Sequence, residues 1–187
     1  PKLLLCYFLT LAPARRLERL LHAHPIPGLE THVFTSEVLT PPRGRAGGGL
    51  SVHSHAKERK LFVELFHRCT AVLCSTGNET VWEAVCRGVP VLTIPTAGHG
   101  EQILNATVHA AALPHNVRAR SSLRMADLRW LVDFTPSEDS AAESEGLRAR
   151  CAALERPDGL ELLLHAHEEP AAADATSANA VVLKRAA

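Results

Sequence analysis

The sequence lacks an excess of charge of either sign and lacks any long apolar run. Its 20 Lys and Arg residues balance 20 Asp and Glu residues, so the net charge gives no reason to expect binding to nucleic acid. No apolar run approaches the ~20 residues that a helix needs to cross a bilayer. We therefore expect no nucleic-acid partner, and contact with a membrane surface stays an open alternative.

The five cysteines form no C-x-x-C pair, and their number is odd. Both features argue against a disulfide framework and against a zinc ribbon. A reducing compartment fits this usage better, so we predict free thiols and a cytoplasmic location.

Histidine is abundant, with 11 residues and three H-x-H pairs at 22/24, 53/55 and 165/167. In the sequence, none of these pairs has a Cys or carboxylate neighbour at the spacing of a metal site. We therefore predict that the protein holds no metal.

Length and apolar content indicate a folded domain. A chain of 187 residues is about one ordinary domain, and 46% hydrophobic against 21% charged residues excludes a wholly disordered chain. We place one domain at residues 1–167, best defined over 50–134, because the composition shifts to Ser, Glu, Asp and Ala after Phe134. Residues 168–187 have the composition of a disordered tail.

Short apolar runs alternate with helical patterns along this domain. An opening strand leads to a helix with Pro13 at its first position and Leu17, Leu20 and Leu21 at helical spacing. Later strands are predicted at 31–35, 50–53, 71–74 and 89–94, and later helices at 57–69, from 78, at 101–112, at 122–134 and, broken at 157–159, over 146–167. This alternation predicts a Rossmann-like, three-layer α/β fold with a parallel sheet.

Two segments allow another interpretation. The opening PKLLLCYFLTLAPA imitates a signal peptide, but the helical pattern that follows it favours a buried strand and a helix. The segment PPRGRAGGG at 41–49 is best interpreted as a flexible insertion, because no helix pattern follows its glycines directly.

The loops at 75–79 and 95–101 form the candidate site, because ligands of parallel α/β sheets bind at the carboxyl ends of the strands. In the first loop, Thr76, Gly77 and Asn78 belong to a small-residue turn that opens a helix. Gly77 permits a tight turn and close approach of a ligand. The free N–H groups of the first helical turn suit an anion such as a diphosphate. Glu83, one turn further in, is placed to accept hydrogen bonds from a ribose diol.

The first loop also has an explanation that needs no ligand. Thr80 and Glu83 have the spacing of a capping box, and on spacing alone capping is the better interpretation. Trp82 belongs to a residue type that is more often part of a core than a stacking surface.

The second loop and its helix carry small and polar residues in close succession: Gly98, His99, Gly100, Glu101, Gln102 and Asn105. A carboxylate beside amides suits sugar hydroxyls, since both groups accept hydrogen bonds and amides also donate. His99 could donate to a phosphate or sugar oxygen. The alternative is that Glu101 only complements the helix dipole and that His99 is an ordinary surface residue.

Together the two loops resemble the donor-binding C-terminal domain of GT-B glycosyltransferases. The order of motifs is S/T-G, T-x-x-E-A, G-V-P-V-L-x-I-P and E-Q-x-x-N-A, and it is most similar to the group that contains the peptidoglycan N-acetylglucosaminyltransferase and its archaeal and bacterial relatives. The matching residues are Thr76, Gly77, Thr80, Glu83, Ala84, Gly88, Val89, Pro90, Pro95, Glu101, Gln102, Asn105 and Ala106. The resemblance is dense over 69–106 and weaker from 3 to about 134.

The resemblance implies transfer of a hexosyl group from a nucleoside diphosphate sugar, with UDP as the expected nucleotide, without a metal or other cofactor. Glu83 would bind the ribose hydroxyls, Thr76 to Asn78 would face the diphosphate, and Glu101 with Gln102 would hold hydroxyls of the sugar. Helix N–H groups would neutralise the departing diphosphate.

The chain departs from that family in one large respect, because no segment of it resembles the N-terminal acceptor-binding domain. That domain would have to be supplied in the same longer chain or by a partner subunit, and we assign no catalytic base to this sequence. The loop after the first strand also lacks the glycine often found there. Two other functions stay open at this point, namely a nonhydrolysing sugar-nucleotide epimerase and a non-catalytic partner or binding module.

Overall fold

The computed structural model describes residues 2–39, 51–56 and 58–154. The chain divides into two compact units, residues 1–148 and 149–187, and the second is described only to residue 154. The strands are β1 Lys2–Tyr7, β2 Leu29–Phe34, β3 Ser51–His55, β4 Ala71–Cys74, β5 Val91–Thr93 and β6 Val117–Ala119. The helices are α1 Leu11–Ala23, α2 Arg59–Arg68, α3 Asn78–Cys86, α4 Gly100–Ala112, α5 Met125–Val132 and α6 Glu138–Leu154.

The first strand and helix form as their apolar patterns predict. Strand β1 is a run of large apolar residues, and helix α1 buries Leu17 and Leu21 at a spacing of four residues. The expectation for Pro13 is wrong by two positions, because α1 begins at Leu11. Pro13 is tolerated there since the first four N–H groups of a helix have no helical partner. The interpretation of this segment as a buried strand and a helix is therefore confirmed.

The six strands form one parallel sheet in the order β3-β2-β1-β4-β5-β6. Helices α1 and α5 contribute to the core on one face, where Leu17, Leu128 and Leu131 pack with residues of β1, β4 and β5. On the other face, Phe62 of α2 packs against Tyr7 and Phe34. Right-handed crossovers that run in the same direction place α3 and α4 on the side of α2. The predicted three-layer α/β fold is confirmed.

The strand order reverses direction between β1 and β4. The chain runs outward from β1 through β2 to β3, and it then returns to the other side of β1 and continues through β4 and β5 to β6. Such a switch point opens a crevice outside the carboxyl ends of the two central strands. The fold therefore points to one particular edge of the sheet.

The C-terminal part of the described chain differs from its prediction. Helix α6 is continuous from Glu138 to Leu154, whereas a broken helix was expected over 146–167. The Ser140 hydroxyl accepts from the Ser137 N–H group at 2.8 Å, and the Ser137 hydroxyl accepts from the Ser140 N–H group at 3.2 Å. These bonds cap the start of the helix. The insertion at 41–49, the break at 157–159 and the tail at 168–187 lie outside the described residues.

The pairing of β2 with β3 adds to the interpretation of the histidines. His32 lies directly beside His53 in the parallel register. Glu30 precedes His32 by two residues on the same strand, and the ligand atoms of Glu30, His32 and His53 all lie within 4.8 Å of one another. The sequence offers no carboxylate at metal spacing to the 53/55 pair, but strand pairing brings Glu30 of β2 close to His53.

All five cysteines are free. Burial raises the pKa of Cys69 and Cys74 to about 11, and it raises the pKa of Cys6 well above its usual value. Thiols with raised pKa values are poor nucleophiles at neutral pH. The prediction of free thiols is confirmed, and these three cysteines act as small core residues.

Across the described ranges, each helix is too short or too polar to cross a membrane.

Candidate functional site

A cleft of about 560 Å³ opens at the switch point of the sheet. Its lining comes from the ends of β1 and β2 and from the beginnings of α2 and α3. The lining residues are Tyr7, Phe34, Glu58, Arg59, Phe62, Gly77, Asn78, Glu79 and Thr80. The volume falls within the ~300–1,000 Å³ range of ligand pockets in proteins.

The wall at the strand ends is aromatic. Phe62 packs edge-on against Tyr7 and Phe34, with ring centroids 5.6 and 5.3 Å apart. Edge-to-face contacts at this distance hold the rings in place. The cleft lining therefore combines a rigid apolar wall with polar groups at two helix starts.

The N-terminus of α3 lacks a side-chain cap. Its N-cap is Gly77, and no side chain accepts a hydrogen bond there. The backbone N–H groups of Thr76 and Gly77 interact with the Cys74 sulfur, where they partly offset the effect of burial on the pKa of this thiol. The N–H groups of the first turn, beginning at Asn78, carry the positive end of the helix dipole into the cleft, which suits an anionic ligand.

The turn before α3 contains the one backbone outlier of the described chain. Thr76 has a φ of 68° and is the only residue other than glycine with a positive φ among the described residues. Gly77 has a φ of −89°, so the prediction that Gly77 supplies the tight turn is wrong. Left-handed geometry is costly for a β-branched residue, and such strain concentrates at functional sites. The buried Oγ1 of Thr76 also has no hydrogen-bond partner among the described residues.

The capping-box explanation for Thr80 and Glu83 is wrong. Helix α3 begins at Asn78 with Gly77 as its N-cap, so Thr80 already lies in the first turn, where it lines the cleft. Glu83 is exposed and lies three residues beyond Thr80, on the same face of the helix. Trp82 is 41% exposed, so its assignment to the core is also wrong.

The second loop lies at the same edge of the sheet, because β5 is the parallel neighbour of β4. This placement confirms that the loops at Gly77 and at Gly98 to Gly100 share one edge. Gly98 has a φ of 79°, a conformation that favours glycine. No residue of this loop lines the cleft.

The polar groups of the second loop bind one another. The buried Gln102 side chain accepts a hydrogen bond of 2.8 Å from the Thr96 N–H group. His99 is the N-cap of α4, where its Nδ1 accepts from the Gln102 N–H group at 3.4 Å. Because Nδ1 accepts, the ring proton of neutral His99 lies on Nε2, which leaves a donor. Glu101 is exposed and Asn105 is half-buried on the same helix.

Sequence reasoning found only part of the cleft. Of the residues it proposed, Gly77, Asn78 and Thr80 line the cleft, whereas Thr76 and Glu83 flank it in sequence. It missed the contributions of β1, β2 and α2, which are Tyr7, Phe34, Glu58, Arg59 and Phe62. The rule that ligands bind at the carboxyl ends of strands would have found Tyr7 and Phe34, had it been applied to every strand.

No protein-family model and no curated protein matches the chain. Solved glycosyltransferase structures do match it. The glycotransferase of kitacinnamycin shares 18% identity over 89% of this chain and 43% of that chain, with a TM-score of 0.57. SnogD from Streptomyces nogalater shares 18% identity over 88% of this chain and 44% of its own, with a TM-score of 0.51. The spinosyn rhamnosyltransferase SpnG, complexed with thymidine diphosphate, shares 19% identity over 88% of this chain and 45% of its own, with a TM-score of 0.54.

The chain thus spans less than half the length of these glycosyltransferases. Identities this low show the fold and not the activity. The fold is that of a GT-B glycosyltransferase half, and the share of each neighbour that is covered is consistent with the C-terminal half.

Proposed function

We propose that this chain is the donor-binding half of a glycosyltransferase, which moves a hexosyl group from a nucleoside diphosphate sugar to an acceptor. The observation that carries the proposal is the strained Thr76 directly before the uncapped N-terminus of α3, at a cleft on the switch point of the sheet. A polypeptide maintains such strain where the geometry serves binding or catalysis. A diphosphate matches the open N–H groups in charge and in hydrogen bonding.

Each wall of the cleft suits one part of a nucleotide sugar. The turn at Thr76 and Gly77 would face the diphosphate, and the N–H groups of the first turn of α3, beginning at Asn78, would bind it. The guanidinium of Arg59 at the start of α2 would add a charged, bidentate donor. The aromatic wall offers an apolar surface to the base. Glu83 would accept hydrogen bonds from the ribose hydroxyls, one turn along α3 from the phosphates.

The second loop would hold the transferred sugar. Glu101 and Asn105 can accept from hydroxyls, and the Gln102 amide can donate while its carbonyl oxygen stays bonded to Thr96. The Nε2 donor of His99 would reach a phosphate or sugar oxygen, and Gly98 and Gly100 would let the ligand approach the backbone. The positive helix N-terminus and Arg59 would stabilise the negative charge that develops on the leaving diphosphate.

The acceptor and the catalytic base would come from an acceptor-binding half, either in the same longer chain or as a partner subunit. We propose the cytoplasm as the compartment, because free cysteines are typical of reducing surroundings. UDP is the nucleotide that we expect. One structural neighbour was solved with thymidine diphosphate, so TDP is the first competitor to test.

Calorimetric titration with UDP, TDP and GDP tests the proposal. We expect one nucleotide to bind, and at 100 times its dissociation constant it should stabilise the fold by ~2.7 kcal/mol. Thr80→Glu places a carboxylate in the first turn of α3, which favours the helix but repels a diphosphate, so binding should be lost in a folded protein. The matched control is Thr107→Glu on the exposed surface of α4, which should bind normally. Absence of binding to all three nucleotides, or equal binding by both variants, would contradict the proposal.

A further inference from the structure

A cluster of three histidines and one glutamate lies on the edge strand β3 and its neighbour β2. Glu30 and His32 alternate along β2, and His53 and His55 alternate along β3. The parallel register sets His32 beside His53, so all four side chains project from the same face. The His32 ring stacks on the His53 ring at 4.7 Å and on the His55 ring at 5.2 Å between centroids.

His32 is the buried centre of this cluster, and both of its ring nitrogens are engaged. Its Nε2 lies 2.8 Å from Oε1 of Glu30, and its Nδ1 lies 2.9 Å from Nε2 of His55. A glutamate carboxylate has no hydrogen of its own to donate, so Oε1 of Glu30 accepts in this contact. The proton between the two groups therefore lies on Nε2 of His32, where a cation could take its place.

The ligand set selects the class of cation. Two imidazoles and one carboxylate suit borderline transition metals such as Zn²⁺, whereas Mg²⁺ and Ca²⁺ prefer oxygen ligands alone. The ligand atoms of Glu30, His32 and His53 lie within 4.8 Å of one another. This separation needs only small side-chain rotations to close on an ion with bonds of about 2.0–2.2 Å.

The position of His55 adds a second feature of metal sites. A histidine that binds a metal through one nitrogen usually donates from the other nitrogen to a fixed acceptor, which sets its tautomer and orientation. Nε2 of His55 lies at the correct distance from Nδ1 of His32 for that role. A neutral imidazole has one acceptor nitrogen, so His55 can accept from Nδ1 of His32.

We propose that Glu30, His32 and His53 form a binding site for one divalent transition-metal ion, with Zn²⁺ as the expected occupant and His55 as a positioning residue. The ion bridges β2 and the edge strand β3 and stabilises their pairing. His55 also stacks on Phe34 at 4.8 Å between centroids, so the ion borders the aromatic wall of the cleft without lying in it. None of the three proposed ligands lines the cleft, so the site is separate from the residues proposed to bind the nucleotide.

Zn²⁺ titration of the chelator-treated protein tests the site, with Co²⁺ absorption as a second readout of ligand geometry. His53 is exposed and Glu30 is only half-buried, so His53→Gln and Glu30→Gln should fold normally. We expect each variant to lose tight Zn²⁺ binding and the absorption bands of tetrahedral Co²⁺. Matched controls are the double substitutions of the other H-x-H pairs, His22→Gln with His24→Gln and His165→Gln with His167→Gln, which should retain both.

The positioning role of His55 has its own test. His55→Phe keeps an aromatic ring beside Phe34 but removes the acceptor, so Zn²⁺ affinity should fall by about 10- to 100-fold. His55→Gln restores an acceptor and should recover most of this loss. Zn²⁺ binding that survives in both His53→Gln and Glu30→Gln, or that disappears in a control pair, would overturn the proposed site. Equal affinities in the two His55 variants would overturn the role of His55.

Discussion

The two loops that open α3 and α4 look alike in sequence but differ in where their hydrogen-bonding groups are used. Both follow adjacent parallel strands and place glycine near a helix start. In the second loop, His99 caps the helix and Gln102 binds the Thr96 N–H group. In the first loop, the N-cap Gly77 has no side chain that could accept a hydrogen bond, and Thr76 is held in a left-handed conformation.

This difference supports the proposal that the first loop binds the ligand. A loop that satisfies its own N–H groups is stable by itself, whereas an open helix start leaves donors that water or an anion must satisfy. The open loop is also the one that faces the cleft. We therefore propose the strongest binding role for the first loop and a secondary role, chiefly toward the sugar, for the second.

The largest expected effect distinguishes the role of Glu83 from that of Glu101. Glu83→Gln removes the charge from a charge-assisted hydrogen bond worth roughly 1.5–3 kcal/mol, so UDP affinity should fall by about ten- to a hundredfold. Because Glu83 does not cap its helix, the melting temperature should hardly change. Glu101→Gln should leave UDP affinity intact and weaken only UDP-N-acetylglucosamine. Calorimetry with both ligands distinguishes the variants, and equal UDP affinity in the two would remove the ribose role of Glu83.

Arg59 provides a comparable test at the start of α2. Arg59→Gln removes the one cation among the described residues of the cleft lining. We expect nucleotide affinity to fall by about tenfold or more, since hydrogen bonds to charged groups are the stronger class. High salt screens the Arg59 charge in the native protein, so the difference in affinity between the native protein and Arg59→Gln should shrink as the salt concentration rises. The control is Arg15→Gln, at an exposed position of helix α1. A similar loss of affinity in both variants would indicate a general charge effect and not a specific contact.

The next effect concerns stability and belongs to the second loop. Gln102→Ala removes the acceptor of the Thr96 N–H group and leaves a polar group unpaired, which costs about 1–3 kcal/mol. For a protein of this size, the melting temperature should fall by roughly 2–4 °C for each kcal/mol. Asn105→Ala, on the same helix and less buried, should cost less. Thermal unfolding measures both, and UDP affinity should be retained because the first loop is untouched.

A smaller effect is expected from relieving the strain at Thr76. Left-handed geometry costs a residue with a Cβ roughly 1–2 kcal/mol, and the greater freedom of glycine in the unfolded chain offsets part of any gain. Thr76→Gly should therefore match or slightly exceed the native free energy of unfolding while it weakens nucleotide binding through loss of the hydroxyl. Thr10→Gly, at the N-cap of α1 with a φ of −127°, should bind nucleotide normally. A clear loss of stability in Thr76→Gly would show that the conformation is not strained.

The smallest effect compares the glycines themselves. A Cβ added at Gly77 or Gly100 meets no atom within 4 Å. Alanine substitutions at the two glycines therefore differ only in where the residue stands relative to its helix start. Gly77→Ala puts a poor residue at an N-cap and should destabilise by a few tenths of a kcal/mol up to ~1. Gly100→Ala lies inside the first turn of α4 and should stabilise by up to ~1 kcal/mol. Chemical denaturation resolves the two signs, and the same sign for both would contradict the assigned helix starts.

Elements with a periodic apolar pattern could be predicted from the sequence. Strand β4 has the predicted bounds, and α4 begins one residue before its predicted start. Strand β6 was missed because it has only three residues, of which one is Arg118. Helix α6 was misplaced because its Ser, Glu and Ala residues form no amphipathic stripe. Its start depends instead on Ser137 and Ser140, which are local caps without a repeating signal.

By itself, the sequence determined the α/β class, the order of strands and helices as far as α4 and the two loops at one sheet edge. It could do so because apolar periodicity and turn residues act over a few positions. Only the tertiary structure decided which residues share a site. Tyr7, Phe34 and Gly77 meet at the cleft, and Glu30 meets His53, because parallel pairing aligns segments that are distant along the chain. That alignment depends on how whole strands and helices pack, and so no local pattern encodes it.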